Sequence, residues 1–133
     1  MRSRTTLHAM SIAEDAWLVA IAAAGAAIGA IVRVLLCDWC VRRRWSVWIA
    51  VVAVNVAGSA AAGATAVTLQ SGSLMWAAIG VGGLGGLTTM SAVAFEAIAL
   101  IAERHRAQAA LMLALNLCLC PCCAWVGMRV IAS

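Results

Sequence analysis

The sequence has no lysine and no tyrosine, a single proline and a single phenylalanine, and charge on only 11% of its 133 residues. A water-soluble domain carries about 25% charged residues. This scarcity excludes a soluble enzyme, a nucleic-acid-binding domain and a disordered chain. What fills the gap is apolar: 65% of the residues are hydrophobic and the mean hydropathy is +1.03. One soluble core of ordinary size cannot hide that much apolar side chain, so the excess faces lipid. Eleven glycines and many alanines favour closely packed helices over barrel strands, which alternate polar and apolar residues. The expectation is an all-α integral membrane protein.

All nine basic residues are arginine. They clump at Arg2 and Arg4, at Arg42, Arg43 and Arg44, and at Arg104 and Arg106, with Arg33 and Arg129 alone. Clumps between apolar runs mark the solvated loops of a membrane protein rather than a nucleic-acid patch. The first apolar run begins near Trp17 and lasts about twenty residues, longer than the roughly 7–15 of a signal-peptide core, so a cleaved signal is not expected. The six cysteines raise a metal or redox question. Cys37 and Cys40 form a C-x-x-C, and Cys118, Cys120, Cys122 and Cys123 surround Pro121. A metal site needs thiolates converging from both places, yet cysteines two apart on a helix point about 200° from each other. In an apolar helix cysteine acts as a small hydrophobe, which makes packing the simpler role.

The chain reads as one four-helix transmembrane domain over residues 1–133, with spans at 17–36, 47–69, 74–101 and 109–131. Residues 1–15 form a polar terminal segment. Connections fall at 37–46, 70–73 and 102–108. Spans of about twenty residues, rising about 1.5 Å each, cross a hydrocarbon layer of about 30 Å. The loops are too short to hold a catalytic domain, so function lies within the membrane and no enzyme is expected. Both termini share one side with Arg2, Arg4 and Arg129, against Arg42, Arg43, Arg44, Arg104 and Arg106 on the other. That slight bias leaves two arrangements open. Either the arginine triplet is cytoplasmic in a single orientation, or the chain inserts both ways up and pairs antiparallel.

The third segment carries the most information. Residues 80–91 read GVGGLGGLTTMS, five glycines followed by three hydroxyl side chains. Close helix contact explains the glycines but not Thr88, Thr89 and Ser91 directly after them. A break at mid-membrane frees backbone carbonyls and amides, which only protein or a wet cavity satisfies, and broken helices are where transporters bind ions. In the second span Asn55 is the one strongly polar residue. It must face protein or a pore, because an unpaired amide in lipid is costly; its plainest role is interhelical glue worth on the order of 0.6 kcal/mol. Arg33 and Glu96 are the ionisable residues inside apolar segments. Snorkelling accounts for Arg33, while Glu96 lies two turns beyond Thr88 on roughly the same helix face.

These residues resemble the Fluc/CrcB fluoride ion channels from Gly25 onward. The first span has G-A-x-x-R at Gly29, Ala30 and Arg33. The second has N-x-x-G-S at Asn55, Gly58 and Ser59. The third has G-G-x-T-T-x-S with a glutamate five residues on, at Gly85, Gly86, Thr88, Thr89, Ser91 and Glu96. The resemblance implies four transmembrane helices with a break in the third, a dual-topology antiparallel homodimer in the cell membrane, and two fluoride pores. It further implies a structural sodium ion at the dimer centre, held by backbone carbonyls at Gly85 and Thr88. Asn55 would line the pore, Arg33 would lie near its aqueous mouth, and Glu96 would belong to the pore region.

Two departures stand out. The family's third helix usually carries two pore-lining phenylalanines, and their positions here are Met90 and Val93. Phe95 comes two residues late and about 200° around the helix. The fourth span usually has a tyrosine and a serine on its pore face. Here Met112, Asn116 and Cys120 share one face, and Asn116 is the polar candidate. The sodium site thus looks intact while the anion lining is altered. The chain then conducts with different coordination, conducts poorly, or serves as one subunit of a heteromeric channel.

A fluoride pore must replace the hydration shell yet release the ion, and Asn55, Thr89, Ser91 and Asn116 are the donors on offer. The scarcity of buried charge fits a passive channel, since a proton-coupled carrier needs a titratable group at mid-membrane. Three other classes compete, one of them a non-transporting membrane subunit. A small multidrug exporter needs a carboxylate within the first span, and Glu14 and Asp15 precede Trp17. A soft-metal carrier would use the cysteines.

Overall fold

The computed structural model describes the backbone of residues 4–132 and the side chains of residues 16–132. Every element among the described residues is a helix. The elements are α1 (Arg4–Arg42), α2 (Val47–Thr68), α3 (a π-wound stretch, Trp76–Leu84, continued by the α turn Gly85–Leu87), α4 (Met90–Ala102) and α5 (Arg106–Ala132). Four stretches are long and apolar enough to cross a membrane: Ala16–Arg42, Val47–Thr68, Trp76–Ala102 and Arg106–Ala132.

The helices outrun the apolar runs. α1 already includes Arg4 and continues through Cys37, Asp38 and Cys40 to Arg42, so the charged connection expected at 37–46 shrinks to 43–46. Charge marks where the membrane ends, not where the helix does. Arg42 Nε donates to Asp38 Oδ2 at 2.7 Å, one turn back, and the Arg43 guanidinium lies 4.9 Å from the Trp39 ring centroid. Both contacts suit a helical register. The chain then turns sharply. The Trp45 N–H donates to the Cys40 carbonyl at 3.1 Å and the Arg44 N–H to that of Val41 at 2.9 Å, a Schellman turn with Arg44 at φ 67°. The same closure recurs after α4. His105 reaches the Leu100 carbonyl at 2.8 Å, Arg104 reaches that of Ile101 at 3.1 Å, and Arg104 has φ 64°. Four crossings put both turns on one side of the membrane. A second aromatic–guanidinium pair, Arg129 over Trp125 at 5.1 Å, caps the far end of α5 on the other side. Arg2 lies outside the described residues.

Packing divides the bundle in two. α1 runs along α3, and α2 along α5, with no contact between α1 and α5 among the described residues. Small residues make both seams. A Cβ on Gly29 would collide with the Gly83 carbonyl, and one on Gly86 with that of Ala26, so α1 and α3 touch backbone to backbone. Across the molecule, Gly63 meets Ala124, and Gly127 meets Ala60. Between α2, α4 and α5 lies the apolar core, which includes Val52, Val93 and Met112, with Val93 and Met112 at 0% exposure.

Candidate functional site

The helical path through the third span is interrupted midway. Thr88 (φ −93°, ψ 123°) and Thr89 (φ −146°, ψ 133°) are extended between α3 and α4. The local sequence favours this. The glycines upstream are poor helix formers, and β-branched threonine is at ease in extended backbone. Helix resumes at once because Thr89 caps it, its Oγ1 accepting the Ser91 N–H at 3.2 Å.

In a continuous helix the Thr89 N–H would bond the Gly85 carbonyl, four residues back. Here it donates to Asn55 Oδ1 at 3.2 Å. The same amide offers its Nδ2 to the Thr89 carbonyl at 3.5 Å and donates to Asn116 Oδ1 at 2.8 Å. Asn116 Nδ2 in turn donates to the Met112 carbonyl at 2.9 Å. One side chain thus replaces the missing peptide partner of an extended residue. Both asparagines are buried, and this pairing is what makes their burial tolerable. One turn beyond Asn55, Gly58 leaves room for the interruption, since a Cβ there would lie 2.5 Å from the Thr88 methyl carbon.

A cavity of about 190 Å³ opens beside this network. α2 contributes Asn55 and Ser59, the interruption Thr88 and Thr89, α4 Met90, and α5 Asn116, Leu117 and Cys120. The Ser59 hydroxyl makes no hydrogen bond among the described residues. The Thr89 and Ser91 hydroxyls lie 2.7 Å apart. One donates to the other, which leaves the second proton for a ligand. Thr88 Oγ1 is committed to the Leu84 carbonyl at 2.8 Å.

Of the residues singled out from the sequence, Asn55, Thr88, Thr89, Met90 and Asn116 meet here, with exposed Ser91 adjoining. The others lie elsewhere. Val93 is sealed in the core, and Phe95 is 76% exposed. Glu96 lines a separate cavity of about 330 Å³ at the α2 entry, with Trp48, Glu103 and His105. Arg33 sits on α1, its Nε buried without a hydrogen-bond partner among the described residues. Gly85 is exposed on α3, with no atom within 4 Å of where a Cβ would stand. Ser59 and Cys120 join the site in the fold without a role read from the sequence. Their signal was spacing, each one turn beyond an asparagine on the same face. Cys120 Sγ lies 3.9 Å from Asn116 Oδ1.

The two cysteine groups do not converge within the chain, because α1 and α5 do not touch. The side chains of Glu14 and Asp15 lie outside the described residues.

Fold and site together define a multi-pass integral membrane protein whose buried polar chemistry is gathered at an interrupted third span. The family described as "CrcB-like protein, Camphor Resistance (CrcB)" matches residues 20–128. The chain belongs to that family, the Fluc/CrcB group it resembles, which consists of membrane channels and transporters rather than enzymes. Membership supports a function of the fluoride-channel type. No curated protein and no solved structure shows a significant match to the chain.

Proposed function

We propose that the protein is a passive fluoride channel of the cell membrane that lets cytoplasmic fluoride leave the cell. Hydrogen fluoride crosses a bilayer and dissociates inside at neutral pH, trapping the anion. A pore then suffices, because an inside-negative potential drives anions out. The observation that carries this reading is the clasp of Asn55 on Thr89 beside a small cavity. Amide and hydroxyl groups there lie where the backbone of the third span is extended rather than helical. Fluoride would be passed between Asn55, Thr89, Ser91 and Asn116, with Ser59 added from the cavity wall. Met90 borders the path, and Val93 supports it from the core. Arg33, with its unpaired Nε, would draw anions to the aqueous mouth, and the Glu96 cavity, on the same side of the protomer, would serve as its vestibule.

The active unit in this reading is an antiparallel homodimer. α1 leaves most of its apolar surface uncovered, with Ile28, Ile31 and Leu35 each at least 60% exposed, and exposed Gly85 permits close approach by a second copy. A structural sodium ion fits the donor set. Thr88 is extended, and the Gly85 carbonyl has lost the Thr89 N–H. A hard cation takes oxygen ligands, and two inverted copies would supply four carbonyls. Sodium there supplies charge that fastens the two interruptions together.

The test is fluoride efflux from liposomes holding the purified protein, with chloride as the control anion. A fluoride-selective leak is expected. Its absence would overturn the homodimeric channel. A leak restored only by adding a second homologue would favour a heteromeric pair, the reading suggested by Met90 and Val93 at the usual phenylalanine positions.

A further inference from the structure

We propose that Met90, Asn116 and Cys120 form a binding site for a soft monovalent cation of the silver or copper(I) type. The thioether of Met90 and the thiol of Cys120 come from different helices, α4 and α5, yet line the same cavity of about 190 Å³. Cys120 Sγ lies 3.9 Å from Asn116 Oδ1, so a carbonyl oxygen stands beside the thiol. Leu117 lines the cavity too, and its carbonyl receives no N–H from four residues on, because that residue is Pro121. Sulfur ligands select soft ions such as copper(I), and two or three ligands suffice for a monovalent ion of this kind. Met90 is 56% exposed, and its three rotatable bonds let the sulfur turn toward an incoming ion. The remaining cysteines lack this company. Cys118 and Cys122 lie exposed on α5, and neither borders this cavity.

Binding would proceed by metal–sulfur bond formation as the Cys120 thiol gives its proton to water, with no change of oxidation state. The ion would occupy the space beside Asn55 and Thr89, so silver would block the fluoride leak. That consequence rests on the channel reading; the binding itself does not.

The test lets the chain's six cysteines compete. One equivalent of silver nitrate is added to the purified full chain in chloride-free buffer, since silver fluoride stays soluble and silver chloride does not. Each cysteine is then scored by mass spectrometry for alkylation with and without silver. Cys120 is expected to be protected at least tenfold while Cys118 and Cys122 remain reactive, and Met90→Leu should spread the protection over the other thiols. Even protection in the unaltered chain, or selectivity untouched by Met90→Leu, would overturn the site. A second arm needs no Met90 variant: the ratio of fluoride leak with silver to that without. Cys120→Ala should bring this ratio close to one, and Cys118→Ala should leave it low. A block that survives Cys120→Ala overturns the proposal. A protein with no fluoride leak at all would instead defeat the channel reading, leaving alkylation to judge the site.

Discussion

The seam between α1 and α3 and the knot between α2, α4 and α5 hold the bundle together in opposite ways. The first works by absence. Glycines let two backbones touch, and among the described residues no side-chain hydrogen bond joins α1 to α3. The second works by presence, with one buried amide partnering an extended threonine and a second amide bonded to the first. Lipid offers no hydrophobic force between helices, so packing contact and hydrogen bonds must do the joining. Small-residue contact serves both halves, and the hydrogen-bonded amides are added in the second.

Breaking the first half should have the largest effect. Gly29→Leu or Gly86→Leu forces a side chain into the facing carbonyl, and overpacking of this kind costs about 1–3 kcal/mol or more. Loss of the monodisperse peak in size-exclusion chromatography is the expected result. Gly85→Leu is the contrast, because nothing in its own chain opposes a side chain there. Helix content by circular dichroism should stay unchanged while the proposed dimer dissociates, and unchanged association would remove Gly85 from the contact.

Breaking the second half comes next. Asn55→Ala leaves the Thr89 N–H and Asn116 Oδ1 without their buried partner, a loss of about 1–3 kcal/mol readable in thermal unfolding. Asn55→Asp keeps the shape and adds negative charge, so fluoride efflux should fall at least tenfold; unimpaired flux would take Asn55 out of the path. Met90→Phe changes only the cavity wall and should preserve or raise the leak.

The smallest effect belongs to neither half. Arg104 holds a left-handed backbone conformation where glycine is preferred. Arg104→Gly should raise stability by about 1 kcal/mol, seen as a modest upward shift of the melting transition.

Asn55 was legible in the sequence because a lone amide in an apolar span has few tolerable places to go. Thr88 and Thr89 were legible because hydroxyls directly after five glycines have no packing reason. Val93 was not. When every face of a helix is apolar, hydrophobic periodicity no longer tells inside from outside, and only the fold shows that Val93 meets Met112 while Phe95 faces away. Cys120 was legible in position, one turn from Asn116 on the same face, but not in role, because thiols in apolar helices behave as hydrophobes. The reach of α1 was hidden by Arg42, Arg43 and Arg44, which read as a loop until Asp38 and Trp39 are seen one turn behind them.

The tryptophan–arginine pairs at the ends of α1 and α5 give each water boundary one anchor of the same make. Rotating the chain by half a turn about an axis lying in the bilayer plane would swap one anchor for its twin. That likeness of the two ends suits the dual topology proposed above.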